Sequence, residues 1–127
     1  MEFKNIKSFE DACTKLGISS ELPVFPMAPE KHQSALIAHY KLVIIAAALN
    51  DGWEPNWNDR SQWKYYFWPE IEATKENPAG VGFSLYGFDA SDTISSVGSR
   101  LCYKSREMAI YAGQQFSDLY KEYFLIG

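Results

Sequence analysis

Two spacings of apolar positions alternate along the chain, and the switches between them mark its elements. Near the N-terminus Ser8 stands three residues before Asp11 in a capping-box arrangement, and Phe9, Ala12, Cys13 and Leu16 fall on one helical face. Gly17 follows as a stop, with Ile18 placed to fold back toward Cys13. These signals predict a short first helix. Pro23, Pro26 and Pro29 then dictate an extended connector, because proline and the residue before it both disfavour helix. A second helix is predicted from about Glu30 to Asn50. Its first half is amphipathic, with Leu36, Ile37 and Tyr40 against Lys31, Gln33 and Lys41. Its second half, LVIIAAAL, is apolar all round and predicts burial on nearly every side. Asn50-Asp51-Gly52 ends it.

Two-residue alternation takes over after the loop. Strands are predicted over residues 63–68 (WKYYFW, closed by Pro69), 81–88 (VGFSLYGF) and 100–104 (RLCYK), and the short connections favour antiparallel pairing. Ser105 then caps a long last helix, in which Ala109, Ala112, Phe116, Leu119, Tyr123 and Ile126 form a heptad-like seam. One helix this short is expected to dock on the sheet or on the second helix, not to build a coiled coil. The expected architecture is one α+β domain over residues 1–127, a three-stranded antiparallel sheet packed with about three helices in the order α-α-β-β-β-α.

Alternation along the strands sorts their side chains into two faces. Trp63, Tyr65, Phe67, Val81, Phe83, Leu85, Leu101 and Tyr103 make the apolar set expected to meet the helices. The other set is Lys64, Tyr66, Trp68, Ser84, Tyr86, Phe88, Arg100, Cys102 and Lys104, aromatics mixed with cations. In a two-layer fold this second face lies partly open and serves as an interaction surface. The same composition suits a protein interface and a stacking platform for single-stranded nucleic acid. It is equally what a covered face would show, with a helix or a second subunit lying over it. Upstream, Trp53 and Trp57 stand among Asn56, Asn58 and Asp59, a grouping suited to a sugar or to packing an acidic loop onto the domain.

Composition narrows these readings. Aromatic residues are 16% of the chain, which excludes disorder and points to a large packed core, an aromatic binding surface or both, and all four tryptophans lie between residues 53 and 68. The net charge of −4 repels nucleic acid globally, so such binding needs a local patch. The apolar run at 35–49 contains His39 and Lys41 and falls short of the roughly 20 residues a membrane span needs. The charged N-terminus lacks the apolar region of a signal peptide, and the expectation is a soluble cytoplasmic protein with no membrane association. Cys13 and Cys102 match no C-x-x-C motif and read as reduced thiols. His32 and His39 lie outside any H-E-x-x-H arrangement, and Asp89 and Asp92 outside any EF-hand loop. Residues 95–100, SSVGSR, lack the G-K-[ST] of a P-loop. No catalytic, cofactor or metal residue is singled out, and the expectation is a protein that is not an enzyme.

Two stretches, ALNDGWEPNWNDRSQWKYYFW and SSVGSRLCYKSREMAIYAGQQFSDLYKEYFLI, carry a resemblance. They resemble small proteins of uncharacterised function encoded in phages, prophages and mobile elements of Bacteroidetes bacteria, over roughly residues 42–126. The resemblance implies a bacterial cytoplasmic setting and an accessory binding or assembly role, and it supplies no functional residues. The sequence therefore points to a non-enzymatic module binding a protein partner or itself through Tyr66, Trp68, Tyr86, Phe88, Arg100 and Lys104. A single-stranded nucleic-acid binder using that face, and a carbohydrate-contacting protein using Trp53 and Trp57, are the alternatives.

Overall fold

The computed structural model describes residues 2–67, 70–72, 75–76, 82–84, 88–91 and 98–126, with the backbone course alone for 70–72, 82–84 and 88–91. Its first helix, α1 (Phe9–Leu16), begins and ends as the spacing predicts. The Ser8 hydroxyl accepts the Asp11 N–H at 3.0 Å, and the Asp11 carboxylate accepts the Lys7 N–H at 3.0 Å. Gly17 takes the left-handed conformation at φ 71°, so the Ile18 N–H can reach the Cys13 carbonyl at 3.0 Å. Helix α2 (Glu30–Asn50) follows the proline connector, which the Gln33 amide ties down by donating to the Phe25 and Ala28 carbonyls. By length and composition α2 is apolar enough to cross a membrane. Core helices meet the same test, and α2 packs against both α1 and the last helix.

The strand expectation is overturned. The fold is mainly helical, and no three-stranded antiparallel sheet forms among the described residues. Among the described residues four short strands pair two by two: β1 (Lys64–Phe67) antiparallel with β4 (Phe88–Ser91), and β2 (Glu70–Glu72) antiparallel with β3 (Gly82–Ser84). Lys64 stands opposite Ser91 and Phe67 opposite Phe88. The predicted strand at 100–104 is instead a 3-10 turn, Ser99–Leu101, followed by one bridge from Tyr103 to Tyr65. Its Leu101 and Cys102 N–H groups donate back to Gly98 and Ser99. Only Tyr103 is left to reach β1, exchanging two hydrogen bonds with Tyr65 at 2.6 and 3.1 Å.

The last helix is also divided. Ser105 caps α3 (Arg106–Gln115) by accepting the Met108 N–H, and Phe116, at φ −114° and ψ 30°, breaks the chain before α4 (Ser117–Phe124). The break sends α3 against β1 and α4 against α2. The heptad-like seam thus docks within the molecule: Ala109, Ala112 and Phe116 are buried, while Ile126 at its end is half exposed. Where α3 crosses β1 it carries Gly113, and a Cβ there would overlap the Phe67 ring. Beneath this crossing the Tyr103 and Tyr120 hydroxyls share a hydrogen bond of 2.7 Å, and both side chains are fully buried.

Both faces of β1 are covered, against the expectation of one open face. Lys64 and Tyr66, assigned to the open side, are 0% and 5% exposed, whereas Trp63, assigned to the core, is 52% exposed. The cover over Lys64 is the preceding loop, whose Asp59 carbonyl and Trp57 ring close on its ammonium group.

Candidate functional site

The segment from Asn50 to Lys64 divides into a closed half and an open half. In the closed half the Lys64 Nζ donates to the Asp59 carbonyl at 3.0 Å and lies 5.1 Å from the centre of the Trp57 ring. Burying an ammonium is costly unless it is hydrogen-bonded, and an aromatic face beside it adds a cation–π attraction. The Trp57 indole N–H donates to the Ser99 hydroxyl at 2.7 Å, which fastens the loop to the 3-10 turn. Asp59 is held in place by Ser61, whose hydroxyl and N–H both donate to its carboxylate. Those bonds, and then the nearby Lys64 charge, push the Asp59 carboxyl below its ordinary range.

Asn50 joins the two halves at the C-terminal end of α2. Its side chain is buried; the amide donates to the Cys102 carbonyl at 2.9 Å and its oxygen accepts the Lys104 N–H at 3.0 Å. Asp51, in the left-handed conformation at φ 50°, turns the chain away and pairs with Lys15 at 3.3 Å. Both Lys15 and Arg100 therefore gather near a helix C-terminus, where the macrodipole favours cations.

The open half is a cleft of about 560 Å³ between the end of α2, the loop 52–55, the 3-10 turn and Leu16 of α1. Leu16, Val43, Ala47 and Pro55 give it apolar lining, and Trp53, Glu54, Ser99 and Arg100 line it as well. Ala47 is exposed here, so the second half of α2 is not covered on every side as its apolar run predicts. Among the described residues the Trp53 indole N–H has no hydrogen-bond partner, and neither Glu54 nor Arg100 forms a hydrogen bond or an ion pair through its side chain. This is the usual make-up of a ligand pocket: an apolar interior and a few convergent polar groups left unsaturated.

Cys13, Cys102, Tyr103, Tyr120 and His39 lie in packed surroundings. Burial, and then Glu10, raise the Cys13 thiol pKa, opposite to the shift that activates a nucleophile. Cys102 is a buried thiol outside any disulfide that donates to the Gly98 carbonyl. Burial pushes the hydroxyls of Tyr103 and Tyr120 far up. His39 packs on the Tyr123 ring at 4.7 Å, and its Nδ1 is buried without a hydrogen-bond partner among the described residues. Burial, and then the Arg100 charge, hold its pKa below the ordinary imidazole value. Among the described residues no three His, Cys, Asp or Glu side chains cluster as metal ligands would.

The expected interaction face does not assemble from the described residues. Tyr66 is buried, because the strand that carries it is covered on both sides. Trp68 and Tyr86 lie outside the described residues, and Phe88 is described only as backbone in β4. Arg100 sits on a 3-10 turn and not on a strand, and Lys104 is exposed beyond the Tyr103 bridge. Of the two loop tryptophans, Trp53 lines the cleft and Trp57 is tied into the fold. The structure thus brings Arg100 together with Trp53, two residues the sequence placed on different surfaces. Sequence reasoning missed Leu16, Val43, Ala47 and Glu54; the one signal available was an α2 run more apolar than its neighbours could cover.

Scans against protein-family models, curated proteins and solved structures found no match to this chain.

Proposed function

We propose that this protein is a non-enzymatic binding module whose site is the cleft at the C-terminal end of α2, and that its ligand is a segment of a protein partner. The observation that carries the reading is the unsaturated chemistry of the cleft: the Trp53 indole N–H, the Glu54 carboxylate and the Arg100 guanidinium lack partners among the described residues, while Asn50 and Ser99 beside them are paired. An apolar lining with Trp and Arg around it is the make-up of a protein-interface hot spot, where those residue types dominate. The two stretches that carry the phage and prophage resemblance both reach this cleft, through Gly52, Trp53 and Pro55 and through Ser99 and Arg100. A bacterial accessory role in that setting fits a small protein with such a site.

A sugar is the second reading, favoured by Trp53 beside Glu54 on the cleft wall. A single-stranded nucleic acid is disfavoured by the burial of Tyr66 and by the net charge of −4. The test is a nuclear magnetic resonance titration of the full chain with capped peptides, oligosaccharides and oligodeoxythymidylate. The expected result is a shift of the Trp53 indole and Arg100 side-chain resonances with peptides. Shifts with oligosaccharides or oligonucleotides but not peptides would replace this reading, and shifts confined to other surfaces would remove it.

A further inference from the structure

We infer that the cleft recognises one particular chemistry, an aliphatic side chain adjoining a single carboxylate in an extended peptide, with Arg100 as the anchor of the carboxylate; this rests on the cleft being the binding site. The inference comes from charge complementarity within the lining. Lys15 is neutralised by Asp51 at 3.3 Å, and Lys64 is enclosed beneath Trp57 and Asp59. Arg100 is the cation in the lining, exposed and with no hydrogen bond or ion pair among the described residues. A guanidinium presents a planar fork that matches a carboxylate with two parallel hydrogen bonds, at roughly twice the strength of neutral ones.

Glu54 narrows the choice further. Its carboxylate only accepts hydrogen bonds, so it suits the N–H groups of an extended backbone and repels a second acid. The Trp53 indole N–H supplies one donor for a backbone carbonyl. Leu16, Val43, Ala47 and Pro55 offer an aliphatic side chain the contact it needs to leave water. A doubly charged phosphate meets the same Arg100 but suffers the Glu54 repulsion twice over, and the net charge of −4 adds to it. The volume of about 560 Å³ lies inside the range of pockets that hold small ligands, so it takes one or two residues and not a helix.

The experiment uses the full chain and three capped tetrapeptides that differ at one position. Each carries leucine beside aspartate, asparagine or phosphoserine, and dissociation constants are read from the Trp53 indole resonance in the parent and in Arg100→Gln. The expected outcome is that the aspartate peptide binds roughly tenfold or more tightly than the asparagine peptide, the step expected of one charge-assisted pair. Arg100→Gln then brings the two to the same affinity; the position is exposed, so the variant keeps its fold. Equal binding of the aspartate and asparagine peptides by the parent overturns the carboxylate assignment and leaves the cleft as a peptide site. Tighter binding of the phosphoserine peptide overturns it in favour of phosphate. An unmoved Trp53 resonance with all three peptides overturns both the assignment and the site.

Discussion

Trp57 with Lys64 and Trp53 with Arg100 are two sets of the same chemistry in one short region, and the fold treats them oppositely. In the first the indole donates at 2.7 Å, the ammonium donates at 3.0 Å, and Lys64 is completely buried. In the second the indole and the guanidinium line an open cleft with no hydrogen-bond partner among the described residues. Residue type alone therefore says nothing about whether a tryptophan and a cation belong to the fold or to a ligand. What separates the sets is saturation. Polar groups that stabilise the fold have found partners within it, and those of the proposed site have none among the described residues.

Removing the strut between the two sets should have the largest effect. Asn50→Ala leaves the buried Cys102 carbonyl and the Lys104 N–H without their side-chain partners. With an unsatisfied buried group costing about 1–3 kcal/mol, the expected loss is about 2–4 kcal/mol. Urea denaturation should show a lower midpoint with an unchanged slope. A loss within error of zero would mean water replaces both bonds, and the closed half would not depend on α2.

Gly113→Ala probes the closed half from the other side. The new methyl group must displace the Phe67 ring, in the strand that also carries Lys64. Overpacking of this kind costs about 1–3 kcal/mol, readable as a fall in thermal midpoint. The double variant Gly113→Ala, Phe67→Leu should recover part of the loss if that overlap is its cause.

Local signals explain how much of this was legible in the sequence. Ser8, Gly17, Asn50 and Ser105 stand at the helix ends where capping and stop chemistry placed them, and Glu30 where the proline connector ends, because those signals span only a few residues. The strands were less legible. Residues 100–104 alternate as a strand does, yet backbone bonds within the Gly98–Cys102 turn take up the N–H groups a ladder needs. Nothing in the last helix announces the break at Phe116, which allows α3 and α4 to meet different neighbours. The site was half legible for the same reason. Arg100 and Trp53 were each singled out, but only the end of α2, contacted from both sides, brings them into one cleft. Lys64 and Tyr66 looked open because alternation assigns a face without saying that a loop folds over it.

Matched substitutions of the two tryptophans sharpen the contrast directly. Trp57→Phe removes a hydrogen bond of about 1 kcal/mol and weakens a cation–π contact worth about 0.5–2 kcal/mol, so it should destabilise the fold by about 1–2 kcal/mol. Trp53→Phe removes no bond within the described fold and should stay within about 0.5 kcal/mol of the parent while weakening peptide binding. Equal losses from the two would erase the distinction between a saturated and an unsaturated tryptophan.

The smallest effect reports on Arg100 itself. His39 is held below its ordinary pKa by burial and then by the Arg100 charge. Its pKa in the unfolded chain is about 6.5, so between that value and the lowered folded one the unfolded state binds more protons. Stability from this group is accordingly complete above about pH 6.5 and declines as pH falls through the folded pKa. Replacing Arg100 by Gln removes one of the two causes, so the His39 pKa should rise, narrowing that window and flattening the slope. A titration of the His39 ring resonance in parent and Arg100→Gln measures this without any ligand. An unchanged His39 pKa would place the guanidinium away from α2, and the cleft would lose its anchor even with the Trp57–Lys64 set intact.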